Sequence, residues 1–196
     1  MLREKIHTVE EELNGMRSQI QNLAVQNDQL ENRMRRGNIL FHGLEDAANE
    51  TWSESEAKVV AFCNVHLGVD VTPTQIERAH RVGHTVAGKT RPVIVKFCDY
   101  KLKERLLSLS YKLKGTNFAI RQDYSPGIRN ERKRLVEFGV GHGGQFQLRF
   151  NKLHLDGNVY QYDAASKSVK RTATPRDPGE NSFSSRGYQN QSRPAE

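Results

Sequence analysis

From Leu2 to Met34 the chain places an apolar side chain, once an asparagine, at alternating spacings of four and three residues: Leu2, Ile6, Val9, Leu13, Met16, Ile20, Leu23, Asn27, Leu30 and Met34. This is a heptad repeat, with d at Leu2 and a at Ile6. A period of 3.5 residues gathers these side chains on one seam, which a single helix cannot bury by itself. Segment 1–36 is therefore expected to be a coiled coil, with Ile6, Val9, Leu13, Met16, Ile20, Leu23, Asn27 and Leu30 as its oligomerisation residues. Lys5 at g faces Glu10 at e of a parallel partner, and Glu12 faces Arg17 in the same way. Asn27 at an a position fixes register and, with leucine at several d positions, favours a dimer, while the mixed a residues leave a trimer open. The alternative is an amphipathic helix packed on the chain's own domain. Self-association would multiply weak binding by whatever follows the coil.

The net charge of +7 is unevenly spread over the 196 residues. Residues 1–36 balance. Residues 37–75 hold one basic and six acidic side chains, whereas residues 76–174 hold twenty basic and eight acidic, a local surplus of +12. A surplus of that size points to a polyanionic partner, nucleic acid before membrane. No apolar run is long enough to span a bilayer, and the N-terminus has no signal-peptide core. Cys63 and Cys98 sit among apolar neighbours and read as small core residues of a reducing compartment. A soluble, intracellular protein is expected.

Past Gly37, which releases the first helix, Asn38 to Leu44 reads as a strand. Thr51 and Glu54 form a capping box for a helix carrying Trp52, Val59, Val60, Cys63 and Leu67. Pro73 marks a turn, and Ile76 to Val82 and Val93 to Phe97 read as strands. Asp99 caps a second helix with Leu102, Leu106, Leu109 and Leu113 on one face, closed by Gly115. Phe118 to Arg121 reads as a fourth strand. The order β-α-β-β-α-β is that of a ferredoxin-like, RNA-recognition-motif-like domain over 37–123. Segment 124–171 reads as a small C-terminal nucleic-acid-binding domain. Ser125-Pro126 starts its helix, and Asp156-Gly157 turns a hairpin. Residues 172–196 are rich in Pro, Ser, Arg, Gln and Asn and are expected to be disordered. The fold class is α+β throughout.

RNA-recognition motifs stack bases on aromatics of their central strands. Here the first strand offers only Phe41, one place from the usual position, and the other central strand has Pro92 and Ile94. That sheet face is expected to be apolar, and covered or non-binding. Binding would fall to cations: Arg78 and Arg81 on the second strand, Lys89 and Arg91 at the next turn, Lys101, Lys103 and Arg105 on the second helix. Arg129, Arg132 and Lys133 share a face of the third. Point cations on phosphates give affinity without base readout, so sequence preference is expected to be weak. Phe41 and Tyr124 are the candidate rings for stacking a base.

Gly83 to Thr90 satisfies G-x-x-x-x-G-K-[ST] letter for letter. The phosphate-binding loop needs a helix starting at the Lys-Thr pair, whereas Arg91-Pro92 and a β-branched run follow here. The segment is expected to be a hairpin loop, with nucleotide binding the remote alternative. Cys63, His66, His80 and His84 fit no zinc spacing. No catalytic constellation stands out, so neither an enzyme nor a cofactor is expected.

Read in order, the chain resembles the first open-reading-frame protein of LINE-type non-LTR retrotransposons. The resemblance rests on the heptads running into Arg35-Arg36-Gly-Asn-Ile-Leu, then Glu77-Arg-Ala-His-Arg81-Val82, Arg91-Pro-Val-Ile-Val-Lys96-Phe97 and Lys103-Glu-Arg105-Leu106. It continues with Arg121-Gln-Asp123-Tyr124-Ser125, Arg132-Lys-Arg134 and Lys152-Leu-His-Leu-Asp156-Gly157. It covers roughly residues 1–170. It implies a trimeric, RNA-coating nucleic-acid chaperone whose RNA lies in a basic cleft between the two folded domains. Arg35, Arg81, Lys89, Arg91, Arg105, Arg132 and Lys133 fall on the family's basic positions. The expected partners are RNA, single-stranded DNA and further copies of the chain, without a membrane. The expected location is cytoplasmic ribonucleoprotein particles, with the nucleus as a second compartment. The rival reading is a coiled-coil interaction scaffold that does not bind RNA.

Overall fold

The computed structural model describes residues 2–86 and 88–172. It opens with one long helix, α1 (Leu2–Met34), which buries none of its residues. Its apolar a and d side chains are all open to solvent, from 43% exposed at Leu13 to 77% at Met34. The seam is therefore not spent on the chain's own domain, which sets aside the packed-helix alternative. A single 3-10 turn (Arg35–Gly37) then feeds the first strand.

Strands β1 (Asn38–His42), β2 (Ile76–Arg81), β3 (Val93–Phe97) and β4 (Ala119–Gln122) form one antiparallel sheet in the order β2-β3-β1-β4. Helices α2 (Trp52–Phe62) and α3 (Tyr100–Ser108) complete the β-α-β-β-α-β order. The capping box on α2 is formed on both sides, by Thr51 and Glu54, and the Asp99 side chain accepts from Lys101 N at the start of α3. Ile39, Phe41, Val93, Val95 and Ile120 point from the strands into the core with Val59, Phe62, Leu102 and Leu106 from the helices. Phe41 is wholly buried and packs edge-on against Phe62, so it cannot stack a base. Its displacement from the usual aromatic position had placed it on the helix face of the sheet.

Cross-strand partners lie on the same face, and the open face carries Leu40, Ile94, His80 and Arg121 in one row, with Arg78 and Lys96 in the next. Leu40 and Ile94 are half-buried, and among the described residues these strands put no phenylalanine, tyrosine or tryptophan on this face. The exposed Trp52 ring of α2, however, lies 6.1 Å from that of His80. The middle of the face is less covered than its apolar residues suggest. Cys63 is in the core, and burial pushes its thiol up to about 12. Cys98, expected inside as well, is exposed, because it lies one residue past the inward-facing Phe97 at the end of β3.

The C-terminal part is larger than a helix and a hairpin. Helix α4 (Pro126–Gly141) packs on an antiparallel meander of four strands, β5 (Phe146–Arg149), β6 (Lys152–Leu155), β7 (Asn158–Asp163) and β8 (Ser168–Thr172). Leu135, Leu153 and Leu155 form its small core, with Phe138, Phe146, Tyr160 and Tyr162 around it. Asp156 and Gly157 both take positive φ between β6 and β7, the two-residue turn their identity demands. Thr172 belongs to β8, and the rest of the expected disordered tail, 173–196, lies outside the described residues. Among the described residues no helix is long and apolar enough to cross a membrane.

Candidate nucleic-acid interface

The basic residues fall into two groups, those already paired with acids and those presented outward. Arg81 is in the first. Its side chain is only 4% exposed, donating to both oxygens of Glu50 at 3.0 Å and to the carbonyls of Leu44 and Arg91. Arg91 forks onto Asp46 through Nε and Nη2 at 2.9 Å each. Lys58 adds a bond of 2.7 Å to Glu50. Burial alone would raise the Glu50 carboxyl, but hydrogen bonds from Arg81, Lys58 and Ser55 outweigh it and bring it down to about 2. This network fastens the 44–50 loop to the end of the sheet. Arg81 and Arg91, expected to hold phosphates, are engaged in it, Arg81 almost wholly buried and Arg91 through Nε and Nη2.

Arg35 is also paired, with Glu31 at 2.6 Å and with both oxygens of the buried Asp123. Lys103, read from sequence as a surface cation, is 1% exposed and bonded to Glu104 at 2.8 Å. Burial lowers its ammonium, with Glu104 pulling the other way. The periodicity of α3 explains the difference: Lys103 lies one residue from Leu102, at the border of the buried stripe.

Lys89, Arg105, Arg129 and Lys133 are exposed, as a phosphate contact requires. Lys89 lies in the β2–β3 loop, where it bridges to Val86. A strand rather than a helix follows that loop, so the phosphate-loop pattern lacks its helix N-terminus.

Among the described residues, Arg132 is the expected site residue that is half-buried with no acid paired to it. Its guanidinium carbon lies 4.5 Å over the Tyr124 ring, and Nη1 donates to the Phe150 carbonyl. Burial lowers its pKa, and Tyr124 alone acts against this. Tyr124 and Phe150 lie 6.0 Å apart, centroid to centroid. At the start of α3, Tyr100 lies 4.8 Å under Arg36 and 5.0 Å under Lys103. Arg36 on Tyr100, and Arg132 on Tyr124 beside Phe150, make a set of two cations and three rings. Its members come from the turn after α1, the start of α3, the start of α4 and the β5–β6 turn. Glu104 is the acid within it, neutralised by Lys103.

Tyr100, Phe150 and Arg36 were not legible as site residues. Phe150 is 48% exposed at a turn where it holds φ +48°, a conformation glycine or asparagine would adopt more easily. A second feature also escaped the sequence. Arg149, Lys152, Gln161 and Lys170 are successive cross-strand partners, so they make one row across β5, β6, β7 and β8. His154 lies beside this row, its pKa lowered by burial and then by Arg149 and Lys152. Lys170 is paired with Asp163, whereas Arg149 and Lys152 are like charges set directly opposite each other. Such a pair costs stability unless an anion lies across it. The alternation of Gln147, Arg149, Lys152 and His154 with Phe146, Leu148, Leu153 and Leu155 was the available signal.

With the geometry in hand, comparison with known proteins adds no label: no protein-family model and no curated protein matches the chain.

Proposed function

We propose that this chain is a homo-oligomeric, single-stranded nucleic-acid-binding protein and chaperone of the retrotransposon first-frame type. It coats a transcript with little sequence preference, within ribonucleoprotein particles of the cytoplasm and the nucleus, and it is not an enzyme. The observation that carries the reading is Arg132: a half-buried guanidinium with no acid paired to it among the described residues, lying on Tyr124 and flanked by the exposed ring of Phe150. A phosphate would relieve the uncompensated charge, and an unpaired base would cover a ring. Bases within a duplex are already stacked, which favours single strands. The exposed Arg36, Arg105, Arg129, Lys133, Arg149 and Lys152 add phosphate contacts without base-reading geometry. The open seam of α1 supports self-association, two or three copies per assembly.

Binding of a labelled ~30-nucleotide RNA, followed by fluorescence anisotropy, is expected to weaken with salt at a log-log slope of about −3 to −5, as five to seven neutralised phosphates require. Arg132→Ala and Phe150→Ala are each expected to lower affinity by about tenfold on all sequences alike, since stacking and cation contacts of this kind contribute about 1–3 kcal/mol. No binding at low salt would leave the coiled-coil scaffold as the better reading.

A further inference from the structure

The last two turns of α1 do more than continue the seam. Asp28 and Asn32, off the a and d positions, grip the start of α4, while Arg35, in the 3-10 turn that follows, is held by Glu31 and reaches Asp123 just past β4. Asp28 accepts from Gly127 N at 2.8 Å and from Ser125 Oγ at 2.8 Å. Asn32 Oδ1 accepts from Ser125 N at 3.4 Å. Arg35 binds both oxygens of Asp123, whose Oδ2 also accepts from Asn38 Nδ2 at 3.0 Å. A carboxylate at the first turn of a helix satisfies an orphan amide and meets the positive end of the helix dipole. Here it is supplied from 99 residues away. The approach is so close that a Cβ on Gly127 would lie 2.6 Å from the Asp28 carboxyl carbon.

Tyr124 sits between Asp123 and Ser125, both buried, the first held by Arg35 just past α1 and the second by Asp28 of α1. Arg132, which lies on that ring, is one turn beyond Ile128 on the helix that Asp28 caps. Resting on the binding reading above, we infer that Asp28 and Gly127 are positioning residues of the nucleic-acid site. The end of the coil sets the place of Tyr124 and Arg132 in each head, separately from the a/d seam that joins the heads.

The full-length chain tests this in two ways. The first needs no nucleic acid. Alanine at an early helical position normally stabilises relative to glycine, yet Gly127→Ala is expected to lower the melting temperature. In an Asp28→Ala background the same change is expected to be neutral or stabilising, because the obstructing carboxylate is gone. Equal effects in both backgrounds would overturn the joint itself.

The second test uses the labelled RNA, with oligomeric state followed by sedimentation. Asp28→Ala is expected to leave the oligomer intact and weaken binding by about five- to tenfold, the scale of a lost helix cap. Asp28→Asn should restore most of the affinity, since its Oδ1 can still accept from Gly127 N. In an Arg132→Ala background, Asp28→Ala should cost little more, because it acts through that residue. Wild-type affinity in Asp28→Ala, or a loss that adds in full to that of Arg132→Ala, would overturn the positioning role. Absence of RNA binding by the wild-type chain would instead sink the binding reading, with the melting cycle still reporting on the joint.

Discussion

Arg81 and Arg132 show how differently one residue type can be used. The Arg81 side chain is only 4% exposed and meets Glu50 and three backbone carbonyls, while the half-buried Arg132 meets a ring and one carbonyl. Removing Arg81 leaves the buried Glu50 with Lys58 as its remaining cation, so Arg81→Ala should cost about 3 kcal/mol in urea unfolding, the low end for a broken buried pair, while the folded fraction keeps its RNA affinity. Arg132→Ala should do the reverse, and a matched loss of stability in both would show that the distinction is false. The Glu50 carboxyl adds a pH signature. Its folded value of about 2 lies below the ordinary carboxyl range, so on acidification the unfolded chain takes up the proton first. The stabilisation is therefore complete above about pH 5 and is lost as pH falls through about 2. Asp46, held low by its hydrogen bond from Arg91, acts in the same direction. Glu50→Gln should melt lower than wild type at pH 7, with the two curves converging in acid. Curves that stay parallel would remove Glu50 from this role.

Among the elements, α1 was the most legible, because a seam of period 3.5 has few alternatives. Fully burying one such side chain contributes about 1.5–3 kcal/mol, so Ile20→Asp with Leu13→Asp should leave monomers in sedimentation. The fold of the head should be unchanged, since α1 buries none of its residues against it. Persistence of the oligomer would mean that another surface joins the copies. Helix α2 was equally plain, its capping box being a local interaction between Thr51 and Glu54. The β5–β6 hairpin was not. Its turn uses Phe150 at positive φ and lacks the glycine that marks the β6–β7 turn, so nothing local announced a reversal there. β8 carries one inward apolar residue, Val169, and composition alone assigned its last residue to the tail.

At the scale of the whole molecule, the surplus of +12 over residues 76–174 divides into parts of different use. Arg81, Arg91 and Lys103 are spent on internal pairs. Arg149 and Lys152, with Lys170, form a row that only the pairing of four strands assembles. If a strand crosses that row, Arg149→Gln with Lys152→Gln should make the salt slope shallower by about 1.4, two phosphates at 0.7 each. An unchanged slope would confine the path to the set around Tyr124.

By itself, the sequence determined what depends on neighbours along the chain: the heptad seam, the helix caps, the Asp156-Gly157 turn and the β-α-β-β-α-β order. These are local periodicities and local hydrogen bonds, carried by residues a few positions apart. Which cations face outward was decided only by the tertiary structure. Arg81 meets Glu50 across 31 residues, Arg35 meets Asp123 across 88, and Asp28 meets Gly127 across 99. A charge count treats these side chains alike. Burial and long-range pairing separate the ones that hold the fold from the ones left facing outward.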